Sequence, residues 1–221
     1  MRHVGVIMDG NRRFAKKQGK ASNFGHEAGA SVIKKVCQFA KDFNIPFLTL
    51  FAFSNENWGR NKEEIAFLNK LIKHFLSSEY THFIENEIKV RIIGDLSPYS
   101  KEICEGIEKL QKNTASFDKF TLSIALNYGG REDILQAVNL AIREKRHLNK
   151  EEFSKLLYTK DMPDVDLLIR TGGARRLSNF LLWNLAYTEL YFTDVLWPEF
   201  NEEDFKKAVD FFNSQVRNFG L

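Results

Sequence analysis

Little in the sequence supports covalent or metal bracing. There are two cysteines, Cys37 and Cys104, with no CxxC spacing and no histidine cluster beside them. A disulfide framework and a structural zinc site are therefore not expected, and reduced thiols in a cytoplasmic setting are. Only four prolines interrupt the chain, and no Pro/Gly-rich linker, internal repeat or low-complexity tract divides it. No apolar run approaches the length of a membrane span. The formal net charge is +3, too small to imply nucleic acid. The opening residues, MRHVGVIMDGN, run directly into a strand pattern and are not read as a signal peptide.

Catalytic signatures are also missing. The dinucleotide GxGxxG and the P-loop GxxxxGK[ST] are absent. So are GxSxG, HExxH and the paired aspartate-rich DDxxD of all-helical prenyltransferases.

Short apolar runs alternate with helical patterns. Residues 4–8, 47–53, 90–93, 120–126, 165–169 and 190–196 read as strands, mostly continuous in apolar character. Such runs suit parallel strands buried on both faces. Helical periodicity covers 31–43, 63–76, 101–112, 132–143, 150–157 and 202–216, with Asn201 placed to cap the last. The alternation predicts one α/β domain over residues 1–221, a mostly parallel six-stranded sheet flanked by helices. Twenty phenylalanines fit a ring-rich core or an apolar cavity, and composition leaves both open.

Open α/β sheets bind ligands beyond the carboxyl ends of their strands. Four of the six predicted strand ends carry glycine, arginine and asparagine or aspartate. They are Asp9-Gly10-Asn11-Arg12-Arg13, Ser54-Asn55-Glu56-Asn57-Trp58-Gly59-Arg60, Asn127-Tyr128-Gly129-Gly130-Arg131 and Arg170-Thr171-Gly172-Gly173-Ala174-Arg175-Arg176. A helix starting near Asn11 aims free N–H groups at an anion. Arg13 adds a forked contact to phosphate oxygens. Asp9 has two roles open, cap of the following helix or ligand of a divalent cation lying between it and a phosphate. Arg170 directly follows a buried run and needs an anionic partner there. Arg175 reads as a solvated turn residue. His26, Asn57 and Trp58 carry no signal alone.

Taken together, the segments resemble a known family. HVGVIMDGNRRFA (3–15), GHEAG (25–29), FSNENW (53–58), IIGD (92–95), NYGGR (127–131), DLLIRTGG (166–173) and RLSNFLLW (176–183) occur in the order seen in bacterial undecaprenyl diphosphate synthases, which are cis-prenyltransferases. The resemblance runs from about residue 3 to the last residue. It implies a homodimer that adds isopentenyl diphosphate to farnesyl diphosphate with cis double bonds, using Mg²⁺. The product would be undecaprenyl diphosphate, the carrier lipid for cell-wall glycans, handed to the inner face of the membrane. A shorter-chain synthase is the nearest alternative. A non-catalytic phosphate-binding subunit is a further one.

The resemblance also implies roles. Asp9 and Glu189 are expected to hold the metal. Gly10, Asn11, Arg12, Arg13, Phe14, Ser22 and His26 are expected around the allylic diphosphate. Ser54, Asn55, Glu56, Trp58 and Arg60 belong to the next substrate loop, with Asn57 as the catalytic amide near the departing proton. An amide is a poor base, so Asn57 is read as orienting substrate. Arg170, Arg176, Leu177 and Ser178 are expected at the isopentenyl diphosphate. Apart from the resemblance, Ala52, Phe67, Leu71 and Phe75 are candidates to line a dry tunnel for the growing chain, and a plain core would read the same. The sequence departs from the family pattern at Arg12 (often Gly), Phe14 (Trp), Ser22 (often Arg) and Ala174-Arg175 (Glu-His).

Overall fold

The first apolar run forms β1 (His3–Ile7), buried along its whole length. In a computed structural model describing residues 1–217, it lies inside a six-stranded sheet with β2 (Phe47–Ser54), β3 (Ile88–Ile93), β4 (Phe120–Tyr128), β5 (Leu167–Arg170) and β6 (Glu189–Phe192). The spatial order is β3-β4-β2-β1-β5-β6. All five pairings are parallel, so the expected mostly parallel sheet is wholly so. The final helix, expected to reach 216, ends at Asn213, and 218–221 lie outside the described residues.

The helices are α1 (Asn11–Lys17), α2 (Ser22–Asp42), α3 (Lys62–Ser78), α4 (Tyr80–Glu85), α5 (Lys101–Thr114), α6 (Gly130–Arg143), α7 (Lys150–Ser154) and α8 (Glu202–Asn213). A 3-10 turn, Asn55–Gly59, follows β2. Asn201 caps α8 as expected, accepting from the N–H groups of Glu203 and Asp204. None of the described helices is long and apolar enough to cross a membrane.

Strand side chains alternate between two cores. Val4, Val6, Leu167 and Ile169 face the larger, which Val36 of α2, Ile107 of α5 and Phe205 of α8 complete. Ile7 and Leu168 face the smaller, closed by Tyr128, Phe180 and Leu181.

Three differences from the predicted elements have physical causes. Helix α2 begins nine residues earlier than its apolar periodicity, because Gly25 and Gly29 interrupt the pattern. A Cβ on Gly25 would strike the Asn11 carbonyl, and one on Gly29 would lie 2.9 Å from the Trp197 ring. Each helical glycine costs about 1 kcal/mol against alanine; here they allow α1 and Trp197 to pack against α2. Helix α4 is too short to show periodicity. The sixth strand, expected to run to 196, stops at Phe192. The N–H groups of Gly172 and Gly173 then donate to the carbonyls of Val195 (2.7 Å) and Thr193 (2.8 Å). The chain after β6 thus clasps the Gly172-Gly173 loop rather than extending the sheet.

The chain leaves β1 toward β2 on one side, whereas β5 leads to β6 on the other. Strand order therefore reverses between β1 and β5, which opens a crevice beyond their carboxyl ends. Asp9 and Gly172 sit there.

Candidate active site

Asp9 does not cap α1. The cap position is Gly10, with φ 120° and no side-chain cap hydrogen bond, so the capping role is set aside. The Asp9 backbone is clamped by Thr171, whose hydroxyl donates to the Asp9 carbonyl (2.7 Å) and accepts from its N–H (3.0 Å). Its carboxylate takes two guanidinium groups: Arg13 Nη2 donates to Oδ1 at 2.9 Å and Arg170 Nη2 to Oδ2 at 3.0 Å. Arg13 also donates to the Gly172 carbonyl. Gly172 has φ +79°, and a Cβ on it would press on Asp9 and Arg13, so only glycine suits this approach.

Arg170 is the buried member of this group, only 4% exposed. Its Nη1 donates to the Ser178 hydroxyl (2.7 Å) and to the Arg176 carbonyl. Its Nε has no hydrogen-bond partner among the described residues. A cleft of about 560 Å³ lies between the β1 and β5 loops, lined by Asp9, Arg13, Gly172, Gly173, Arg176 and Asp194. Arg175 is exposed and outside it, as its reading as a turn residue anticipated.

A second cleft, about 550 Å³, lies on the other side of Ser178. Ser54, Glu56 and Asn57 from the 3-10 turn face Arg131, Glu132 and Asn179 across it. Asn57 Oδ1 accepts the Ser54 N–H at 3.2 Å, while the Ser54 side chain accepts the Asn57 N–H. The Asn57 oxygen is thus engaged within its own turn. Burial pushes the Glu56 carboxyl up, but hydrogen bonds from its own N–H, Ser54 and Asn179 outweigh that and hold it below the usual carboxylate range.

A separate apolar cavity of about 100 Å³ has Asn11 and His26 as its polar lining and Ala52, Leu71, Phe75 and Ile124 among its walls. Ala52, Leu71 and Phe75, three of the tunnel candidates, thus line this one cavity. Phe67 instead lines a groove between α2 and α3. Asn11 Oδ1 is buried with no hydrogen-bond partner among the described residues. His26 is buried, and its Nε2 lies 3.2 Å from Glu64 Oε1; that oxygen only accepts, so Nε2 carries the hydrogen. Arg60 donates to the same oxygen at 3.1 Å. Desolvation lowers the His26 pKa, the nearby charges of Arg60 and Arg12 lower it further, and Glu64 opposes them.

The family model described as putative undecaprenyl diphosphate synthase matches residues 7–220. The chain belongs to this family. An isoprenyl transferase of Fusobacterium nucleatum is 44% identical over 220 residues, covering 99% of this chain and 95% of that protein. The farnesyl-diphosphate-specific ditrans,polycis-undecaprenyl-diphosphate synthase of Escherichia coli K12 is 45% identical over 226 residues, covering 99% and 89%. A crystal structure of a probable undecaprenyl diphosphate synthase from Campylobacter jejuni superposes with TM-score 0.85 at 36% identity, covering 100% and 99%. Lavandulyl diphosphate synthase from Lavandula x intermedia, solved with dimethylallyl diphosphate, superposes with TM-score 0.94 at 32% identity, covering 100% and 98%.

As an undecaprenyl diphosphate synthase family member, the chain brings most of its expected site residues together, with four corrections. Glu189 does not join Asp9. It pairs in register with Leu167, which pairs with Val4, so it lies at the opposite end of the sheet, about 16 Å along the strand direction. Phe14 stacks on Phe24 at the α1–α2 corner (5.9 Å, 7°), outside the cleft. Leu177 packs against the smaller core. Ser22 opens α2 and lines none of the three cavities. Trp58 is held by packing: its Nε1 donates to Asn127 Oδ1 at 2.8 Å and its ring lies between Phe53 and Tyr99.

Four residues that sequence reasoning left out also belong here. Asp194 lines the first cleft but was hidden inside the predicted sixth strand. Glu64 joins His26 to Arg60, and its i,i+4 spacing from Arg60 was the available signal. Arg131 and Asn179 were visible only as parts of quoted segments.

Proposed function

We propose that this chain condenses isopentenyl diphosphate repeatedly with farnesyl diphosphate in cis configuration, giving undecaprenyl diphosphate. One observation carries the reading: Asp9 and Arg13 line one polar cleft, Asn57 and Ser178 line a second, buried Arg170 is hydrogen-bonded to both Asp9 and Ser178, and a separate apolar cavity has Asn11 and His26 in its lining. The allylic diphosphate lies at Asp9, Gly10, Arg12, Arg13 and His26, with its prenyl chain in the cavity. The isopentenyl diphosphate lies at Arg170, Arg176 and Ser178. Arginine forks are suited to diphosphate oxygens and to the charge growing on the leaving group. Asn57 orients the isopentenyl unit as its proton departs to a diphosphate oxygen. The apolar walls keep water from the cation-like allylic fragment.

Mg²⁺ fits this donor set. Asp9 offers hard carboxylate oxygens at the cleft mouth, and Mg²⁺ is typically held by one or two carboxylates, substrate phosphates and water. No group of three or more His, Cys, Asp or Glu gathers among the described residues, so most remaining ligands must come from diphosphate and water. When bound, the ion would neutralise charge on the departing diphosphate.

A homodimer is part of the proposal. Leu135 (58% exposed), Val138 and Ile142 (69%) form one apolar stripe on α6, and Tyr187 and Leu190 are exposed beside the β6 edge. A second copy covering these surfaces by a two-fold contact through β6 would run the two edge strands antiparallel. Glu189 of one copy would then approach the strand-carboxyl end of the other, where Asp9 lies. Leu135→Glu with Ile142→Glu should shift the mass in light scattering from dimer to monomer. We place the enzyme in the cytoplasm, releasing its lipid product to the membrane surface.

The test is incubation with farnesyl diphosphate, labelled isopentenyl diphosphate and Mg²⁺, followed by product sizing. An eleven-unit product supports the reading, and no incorporation of label would overturn it. The small cavity favours a second reading, a shorter-chain synthase, which a product stopping well below eleven units would establish.

A further inference from the structure

Asn179 lines the second cleft and spends every polar atom of its side chain on joining the segments that wall it. Its Nδ2 donates to Glu56 Oε1 at 3.1 Å and to Glu132 Oε2 at 2.9 Å. Its Oδ1 accepts the Arg131 N–H at 2.9 Å, and its backbone carbonyl accepts the Gly130 N–H at 2.6 Å. Helix α6 starts at Gly130 with no side-chain cap from Gly129, so Asn179 caps it from another loop. Three segments thus converge on one amide: the turn after β2, the start of α6 and the loop after β5.

The backbone there is forced. Ser178, Asn179 and Leu181 have φ of 50°, 62° and 44°, three left-handed non-glycine residues within four positions. Such conformations persist only where the surroundings over-determine them. Asparagine tolerates the left-handed region better than most side chains. The immediate neighbours are informative: Ser178 accepts from Arg170, and Glu56 precedes Asn57. Without the amide, the Glu56 and Glu132 carboxylates would face each other with no shared donor, and the turn carrying Asn57 would be pushed away from the β5 loop.

We propose that Asn179 is a positioning residue that fixes the Asn57 turn against the Arg176–Ser178 loop, so that an anion engaging Arg170 is felt at Asn57. This rests on the reading of those loops given under Proposed function. A plain structural clamp would affect stability; a positioning residue affects turnover and the transmission of anion binding.

The test uses Asn179→Asp, which keeps the acceptor for Arg131 but replaces both donors with charge. The expected result is a fall in kcat of at least ~10-fold, the effect of losing even one of the two Asn179 hydrogen bonds to carboxylates, with KM for farnesyl diphosphate within about twofold. Adding Glu56→Gln reverses the polarity of the bond, since the introduced amide can donate to the new carboxylate. The double variant should recover part of the lost kcat, because the new carboxylate still faces Glu132, although Glu56→Gln alone also reduces it. Unchanged kcat in Asn179→Asp, or no recovery in the double variant, would overturn the proposal.

A second measurement is independent of turnover. Inorganic pyrophosphate should slow amide hydrogen exchange across residues 55–59 in the unaltered protein and should not do so in Asn179→Asp. Equal protection in both also sinks the proposal. If the unaltered protein makes no prenyl product yet shows this protection and its loss, the coupling stands and the prenyltransferase reading falls.

Discussion

Arg170, buried at the end of β5, donates to Asp9 Oδ2 across 3.0 Å, while Arg13 holds the other carboxylate oxygen at 2.9 Å. Asp9 is thus neutralised by two groups that each suit diphosphate. On the proposed reading, an entering diphosphate would compete for the same guanidinium donors and loosen their hold on Asp9, leaving that carboxylate able to share a cation with the ligand. Binding of anion and cation should consequently be mutually dependent.

Asp9→Asn tests this directly. The amide keeps an acceptor for Arg170 but lacks the charge a cation requires. A loss in kcat on the order of 10³-fold or more is expected, since an electrostatic group at the reacting diphosphate is removed. Excess Mg²⁺ should not restore it, and circular dichroism should stay unchanged. Near-normal turnover with Mg²⁺ would remove Asp9 from the mechanism.

Arg170→Lys keeps the positive charge but loses the fork that reaches Asp9, Ser178 and the Arg176 carbonyl at once. One charge-assisted hydrogen bond is worth ~1.5–3 kcal/mol. KM for isopentenyl diphosphate should therefore rise by roughly 10- to 100-fold. KM for farnesyl diphosphate should change much less. If the isopentenyl KM stays the same, the assignment of this arginine to that substrate is wrong.

The sheet was legible because each parallel strand, buried on both faces, is a short apolar run ending in chemistry. That is why Asp9, Arg13, Arg170 and Arg176 could be assembled from strand ends alone. What escaped had no one-dimensional signature. Gly25 and Gly29 hide the first half of α2, because close packing rather than an apolar stripe makes that segment helical. Asp194 was absorbed into an apolar run that turns out to be a loop. Asn179 acts through contacts 48 and 123 residues away in sequence. Glu189 shows the opposite failure: a family role that a single chain's topology does not assemble.

Product length should respond to the cavity wall. Ala52 faces Leu71 and Phe75 across a cavity of about 100 Å³. Ala52→Leu adds bulk where little room exists, and overpacking of this kind costs ~1–3 kcal/mol unless the occupant withdraws. The growing prenyl chain is the part that can withdraw. Ala52→Leu should shift the products to fewer units with little change in the first condensation, whereas Phe75→Ala should shift them to more. Sizing the radiolabelled products checks both, and identical distributions would mean that the chain does not grow through this cavity.

Acid should weaken the fold through His3. This side chain is fully buried, with Nδ1 2.8 Å from the Pro163 carbonyl and Nε2 2.7 Å from the Thr49 hydroxyl. The carbonyl can only accept, so Nδ1 carries the hydrogen and neutral Nε2 accepts from Thr49. Desolvation lowers its pKa from 6.5 to about 4, against the opposing pull of the Pro163 carbonyl, Asp166 and Asp164. Between those values the unfolded chain binds a proton that the folded chain refuses. The His3 contribution is therefore complete above pH 6.5 and fades as pH falls toward 4, a loss of roughly 3 kcal/mol at about 1.4 kcal/mol per unit. His26, lowered by the same kind of burial, adds a loss of the same sign. Replacing His3 with Gln removes the His3 part alone, so the drop in unfolding free energy on going from neutral to mildly acidic pH should be smaller in His3→Gln than in the unaltered protein. Denaturant melts at both pH values measure the difference, and parallel losses in the two proteins would show that His3 is not the group that titrates.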